Sequence, residues 1–405
     1  MKKLLIISGS LVVIIALAAW FFLSDSSITP SQIFSPGSPF GSGEDINIST
    51  NNGLDTVGTT TPFDQNVSAS KLFRISNTPV AGFVILARGS DTAIRYVDRA
   101  TGHISETIVY ASSTTNMVEK VRITNKTLPK IYEAYFRPDS TEVLLRSLLK
   151  DSDSVENLTL TLTPPKASST NELYAVSATS LRGDVDSIVS GAGNALFYVL
   201  RDTGAVVSST FTGSNTKTLF TSPFKNWRLA TLGGGVMVYP KASANTPGAV
   251  YSLSNGTLTK LAGPLNGITA VGNSDGKKIA YSYTEGRETR LFIKDVAKNT
   301  SFEILPTTLA EKCVWSTKDT ASVFCAVPVN GVGSGEPDGW YQGKTHFSDY
   351  IWQFNANSEI SQLIAEPKVE FGIDLDIYKP KVSPNENLLV FINKRDMTLW
   401  AVRLK

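Results

Sequence analysis

The sequence predicts an all-β chain assembled from about seven copies of one four-stranded unit, each roughly 48 residues long. Three observations carry that expectation. A tight turn between two short apolar runs recurs along the chain, two further strand patterns follow it in a fixed order, and no long helical periodicity occurs after residue 25.

The turn is the clearest marker. Ser383-Pro384-Asn385-Glu386-Asn387 leads into Leu388-Leu389-Val390-Phe391-Ile392, Asn273-Ser274-Asp275-Gly276 leads towards Ile279-Ala280-Tyr281, and Arg137-Pro138-Asp139-Ser140 leads towards Val143-Leu144-Leu145. Pro, Asp, Asn and Gly suit the backbone angles of a tight reversal. The bulky apolar runs read as strands buried on both faces. A third-strand pattern with its own exit turn recurs at Ile94 to Gly102, Leu291 to Val296 and Leu399 to Leu404. A fourth recurs at Lys217 to Phe220, Leu258 to Leu261, Phe302 to Leu305 and Ile360 to Ile364. Units then begin near residues 80, 130, 185, 226, 268, 311 and 378.

Four strands per unit at this period is the pattern of a β-propeller, here counted as seven blades. Six and eight blades are the alternatives, because blades 2 to 4 are weakly marked. The last unit has three strands before the chain ends at Lys405, and Lys71-Leu72-Phe73-Arg74-Ile75 carries the fourth-strand pattern ahead of the first unit. The expectation is that this N-terminal strand closes the last blade and pairs its open edge. The alternative is a frayed tail.

Three regions follow. Residues 1–23 hold Lys2 and Lys3 and then an uncharged run from Leu4 to Leu23. As a helix that run spans about 30 Å, the thickness of a bilayer core. Trp20-Phe21-Phe22 suits the outer interface, and the lysines place the N-terminus in the cytoplasm and the bulk of the chain outside. The expectation is a single-pass cell-membrane protein with an uncleaved signal anchor and an extracytoplasmic propeller. The alternative is a signal peptide cleaved near Ala16-Leu17-Ala18. Residues 24–69 are rich in Ser, Thr, Gly, Pro and Asn, with Asp25, Glu44, Asp45, Asp55 and Asp64 and no basic residue. Such a segment cannot bury enough apolar surface to order itself and reads as a flexible linker. Residues 70–405 are the propeller.

The net charge of +2 is spread without a basic run, which argues against nucleic-acid binding. There are two cysteines. Cys313 and Cys325 fall in adjacent strands of blade 6, almost opposite each other about a turn near Asp319, and a disulfide is permitted outside the cytoplasm. Two buried thiols are the alternative. With two histidines in the chain, no zinc site is expected, and no cofactor.

The most unusual segment is the long blade 6 connection, residues 328–352, which contains Asp338, Trp340, Tyr341, His346, Phe347 and Asp349. Connections of this kind emerge on the face that carries the loops between blades. Aromatic loop residues make good anchors for protein or glycan surfaces. The alternative is that they fold back and cap the channel. Carboxylate pairs occur at Asp151/Asp153, Asp184/Asp186 and Asp374/Asp376; the first, with Glu156 following, faintly resembles a calcium loop but lacks its glycine and remaining ligand positions, and reads as solvated turn residues. There is no Gly-x-Ser-x-Gly elbow, phosphate loop or dinucleotide fingerprint. The sequence expectation is therefore a non-enzyme.

The turns at Ser383-Pro384-Asn385, Arg137-Pro138-Asp139 and Ser274-Asp275-Gly276 resemble those of TolB-like propellers, within the wider WD40-like class. The resemblance implies the fold and an extracytoplasmic, protein-binding habit. The chain departs from it in having only the linker where TolB carries an α/β domain, and it lacks the Gly-His…Trp-Asp signature of true WD40 repeats. Pro337 to Gly343 and Ser348 to Trp352 are also similar to a segment of membrane-anchored bacterial propeller proteins, a resemblance that brings no activity with it. The functional expectation is a membrane-tethered protein-binding scaffold in the cell envelope. Its alternatives are a glycan-binding module and, behind that, a hydrolase or lyase of envelope polymers.

Overall fold

A computed structural model describes residues 70–111, 118–149, 155–166 and 173–404. The expected anchor at 1–23 and linker at 24–69 lie outside the described residues. No helix among the described residues is long and apolar enough to cross a membrane.

The described chain is a ring of seven four-stranded antiparallel sheets. The blades occupy residues 80–122, 131–181, 185–220, 227–266, 269–303 and 313–365, and the seventh combines residues 377–403 with 72–76. The blade count and the blade starts agree with the sequence reading to within a few residues. Leu72–Ser76 pairs with Leu399–Arg403 (Leu72 opposite Val402, Arg74 opposite Trp400), so the strand ahead of blade 1 does complete blade 7.

The recurrent turn has one physical basis in three blades. Ser140, Gly276 and Glu386 occupy the same turn position, and all three adopt positive φ (60°, 77° and 54°). Each donates its N–H back across the turn, to Arg137, Asn273 and Ser383 respectively. The Pro, Asp and Asn residues beforehand bring the chain into that reversal.

One strand assignment is corrected. Ile94 belongs to the second strand of blade 1, Asp91–Asp98, not the third. A tight hairpin at Gly89 (φ 61°) joins it to Val80–Arg88. That two-residue turn lacks the Pro-Asp signature of the other blades, so the strand after it reads one place too late.

The core is distributed. Seven buried apolar clusters form, one at each blade–blade interface, including blade 7 against blade 1 through Phe73, Ile75, Phe83, Tyr96 and Leu388. No blade can bury both faces alone, so the ring depends on closure. Blade 1 meets blade 2 so closely that a Cβ on Gly82 would lie 2.0 Å from the Ala134 carbonyl oxygen. Cys313 and Cys325 pair directly across the first two strands of blade 6 and form a disulfide.

Candidate functional site

The first strand of each blade borders the central channel. Side chains from these strands enclose a cavity of about 800 Å³. Six cationic residues line it (Arg146, Arg228, Lys241, Lys379, Lys381 and Lys394) against three carboxylates, Glu133, Asp186 and Glu311. Five tyrosines, Tyr132, Tyr135, Tyr239, Tyr341 and Tyr378, share the wall.

Most of these charges are paired. Arg146 donates to Glu133 at 2.8 Å, to the carbonyls of Val185 (2.8 Å) and Asp186 (3.0 Å), and to Asn157 (3.1 Å), binding blade 2 to blade 3. Lys379 reaches Glu133 from blade 7 at 3.3 Å. Burial opposes ionisation of Glu133, but Lys379 and Arg146 outweigh it and hold the carboxyl below its ordinary value. Arg228 pairs with Asp186 at 3.1 Å. Glu311 accepts from Tyr341 Oη at 2.8 Å and Tyr239 Oη at 3.4 Å, and burial raises its pKa despite those bonds. Lys381 donates to the Phe83 carbonyl at 2.8 Å, and among the described residues no carboxylate lies within ion-pair distance of it.

The blade 6 connection forms part of the wall at one mouth. Asp338 accepts from the Ala244 N–H of blade 4 at 2.7 Å, and the Glu336 carbonyl accepts from Thr284 Oγ1 of blade 5 at 3.0 Å. Arg395 of blade 7 donates to the Phe347 carbonyl at 3.0 Å, and Lys394 donates to the Trp340 carbonyl. Trp340 is 1% exposed and Phe347 is buried beside it, packed on Leu309.

Beneath them sits a buried charge centre. Lys312 Nζ lies 2.8 Å from Asp349 and 2.7 Å from Asp376, with no exposure of any of the three side chains. Its ammonium also faces the rings of Trp340 (4.9 Å) and Phe347 (5.0 Å), a cation–π arrangement. Trp340 Nε1 donates to Asp376 Oδ1 at 3.0 Å. Burial pushes the Asp349 carboxyl up to about 6, with Lys312 pulling the other way. Asp349 Oδ1 is buried without a hydrogen-bond partner.

The six loop residues singled out from sequence are thus drawn together but differently placed. Trp340, Phe347 and Asp349 are buried. Asp338 clasps blade 4, Tyr341 faces the channel, and His346, 41% exposed at its side chain, has Nδ1 3.7 Å from Asp376. The carboxylates of the other two pairs form ion pairs: Asp184 with Arg182, Asp186 with Arg228, Asp374 with Lys368 and Asp376 with Lys312. Asp151 and Asp153 lie outside the described residues. No group of three or more His, Cys, Asp or Glu that could hold a metal ion occurs among the described residues.

Sequence reasoning missed the channel cations. They come from three blades (2, 4 and 7) that are far apart in the chain, so no local motif joins them. The one local signal was Lys379-Pro380-Lys381, two charges inside a strand that borders the channel.

No protein-family model matches the chain, and no curated protein matches it. Among solved structures, 673 chains match. One is an oligogalacturonate lyase in complex with manganese, at 9% identity and a TM-score of 0.46, covering 84% of this chain and 99% of that one. At that distance the likeness is one of architecture and transfers no chemistry. It does correct the expectation of a non-enzyme. That expectation rested on missing motifs, and the matching structure named above is an enzyme. The TolB-like and WD40-like assignments are not carried beyond the fold.

Proposed function

We propose that this chain is a membrane-tethered, extracytoplasmic propeller that recognises an envelope protein by taking an acidic segment of it into the mouth of the channel. The observation that carries the reading is the charge imbalance of the cavity, six cations against three carboxylates, with Lys381 unmatched. Complementary charge raises the encounter rate and rejects partners of the wrong sign. The tether rests on the apolar run Leu4 to Leu23 and the acidic, glycine- and proline-bearing stretch after it.

A second reading, an acidic glycan as the ligand, draws on the five tyrosines lining the same cavity. In-cell photocrosslinking separates the two. A crosslinker at Lys241, on the cavity wall, should capture one acidic protein reproducibly, while one at Ile360, on an outer strand, should not. Capture from Ile360 alone overturns the channel reading. Capture of no protein, with uronate oligosaccharides binding the purified chain, selects the glycan.

A further inference from the structure

The first strand of blade 7, Ile377–Val382, breaks register where it carries its charges. Tyr378 pairs with Ile392 and Lys381 with Val390, so three steps on this strand oppose two on its partner. The extra residue makes a bulge. Lys379 takes φ 51°, the left-handed region that side chains avoid, and Pro380 has no N–H to return to the ladder. A bulge of this kind re-aims side chains, and here both lysines reach the wall of one cavity.

Their surroundings leave charge uncompensated. Lys379 pairs with Glu133 at 3.3 Å and lies over the rings of Tyr135 and Tyr378, 5.2 Å from each. Arg146 claims the same Glu133 at 2.8 Å. Lys381 lies over the Phe83 ring at 4.9 Å with the Phe83 carbonyl as its acceptor. Lys379 and Arg146 therefore share one carboxylate and Lys381 has none among the described residues, which leaves two positive charges unmatched. Across the cavity, Arg228 is taken by Asp186, Glu311 is held by two tyrosines, and Lys394 bonds the Trp340 carbonyl. The ring does not require lysines at such positions. The channel-bordering strands of blades 5 and 6, Thr269–Gly272 and Cys313–Trp315, carry no charge.

We propose that the Lys379-Pro380-Lys381 bulge, with Arg146 beside it, is a binding site for one doubly charged oxyanion entering the channel. The proposal rests on the reading of the channel as the recognition site, and it names the chemistry recognised there: a phosphoryl group or a pair of adjacent carboxylates. Lys381 reaches water in the channel but is enclosed by protein. That enclosure, together with the charge of Lys379, pushes its ammonium down to about 8. A bound dianion outweighs both effects by attracting the charged ammonium, so binding takes up a proton near that pH.

Calorimetric titration of the full chain with sulfate, a dianion throughout the range, tests this. Saturable binding is expected, with affinity falling about tenfold from pH 7 to pH 9 as Lys381 loses its proton. Lys381→Met should weaken sulfate binding at least about tenfold at pH 7 and abolish the pH dependence. Lys381→Arg, which does not titrate, should keep the affinity at pH 7 and lose the fall at pH 9. Lys298→Gln removes a charge from the exposed rim and should change nothing. Phosphate binding above malonate assigns the ligand as phosphoryl, and the reverse assigns it as paired carboxylates; both retain the dianion site. Acetate binding as tightly as sulfate, or unchanged affinity in Lys381→Met, overturns it. Failure of sulfate binding with the Lys241 crosslink intact overturns this site alone, whereas loss of the crosslink overturns the channel reading.

Discussion

Lys312 Nζ lies 2.7 Å from Asp376 Oδ1, and neither side chain has any exposure. Lys312 precedes the first strand of blade 6 and Asp376 precedes that of blade 7. Asp349, where the long blade 6 connection rejoins the sheet, is the third member. The pair thus ties two blades and the loop to one point. Lys312→Met would leave two carboxylates buried against each other and free the indole face of Trp340. Losing one partner of a buried pair costs about 3–5 kcal/mol, against about 0–1 kcal/mol for an exposed pair. Urea unfolding should show that loss for Lys312→Met and almost none for Lys298→Gln, whose pairing with Asp295 is on the surface. Equal effects would mean that the buried centre holds nothing together.

The same centre gives stability a pH dependence of unusual sign. The Asp349 carboxyl is raised to about 6 in the folded chain by burial, against about 3.9 for an unfolded one. Below the unfolded value both states are protonated and the group contributes no penalty. Between the two values the unfolded chain ionises first, so stability falls as pH rises, and above about 6 the penalty is complete. Asp349→Asn mimics the protonated form. Its stability relative to the parent should therefore climb from pH 4 to pH 6 and then level off. A difference that is flat across this range, measured by denaturant titration at each pH, would sink the assignment.

The disulfide closes a short loop, Cys313 to Cys325, a separation of 12 residues. Chain-entropy arguments give about 3 kcal/mol for a loop of this size. Both cysteines are buried in the interface of blades 5 and 6, so a reducing thiol should reach the bond only once the blade opens. Replacing both by Ala should lower the unfolding free energy by about 2–3 kcal/mol without altering the far-ultraviolet circular dichroism. Loss of the β signal would instead make the bond a requirement for folding.

How much of this was legible in the sequence follows from range. The blades were legible because turn and strand are local: Asp275-Gly276 and Asn385-Glu386 sit beside the strands they create. The pairing of Cys313 with Cys325 was legible for the same reason, since both flank one turn. Blade 1 was misread where its hairpin at Gly89 lacked the marker. Lys312 carried no signal at all, because a lysine between Glu311 and Cys313 reads as surface until Asp349 and Asp376 close over it. The channel charges were illegible as a group, since Arg146, Arg228 and Lys381 meet only after the ring closes.

Closure is itself open to test. Phe73 and Ile75 lie in the cluster between blades 7 and 1, and Leu72 in that between blades 6 and 7. The strand they belong to covers the edge of Leu399–Arg403. Phe73→Ala removes a buried ring and should cost about 3–5 kcal/mol. Because all seven interfaces are joined in one ring, that loss should shift the whole unfolding transition rather than split it. Deleting residues up to Ser76 goes further. It exposes the backbone donors and acceptors of Leu399–Arg403, a template for pairing with another chain. The shortened chain should self-associate, and a synthetic peptide spanning residues 70–77 should return it to monomer in sedimentation experiments. A shortened chain that stays monomeric with an unchanged melting temperature would show that blade 7 closes without this strand.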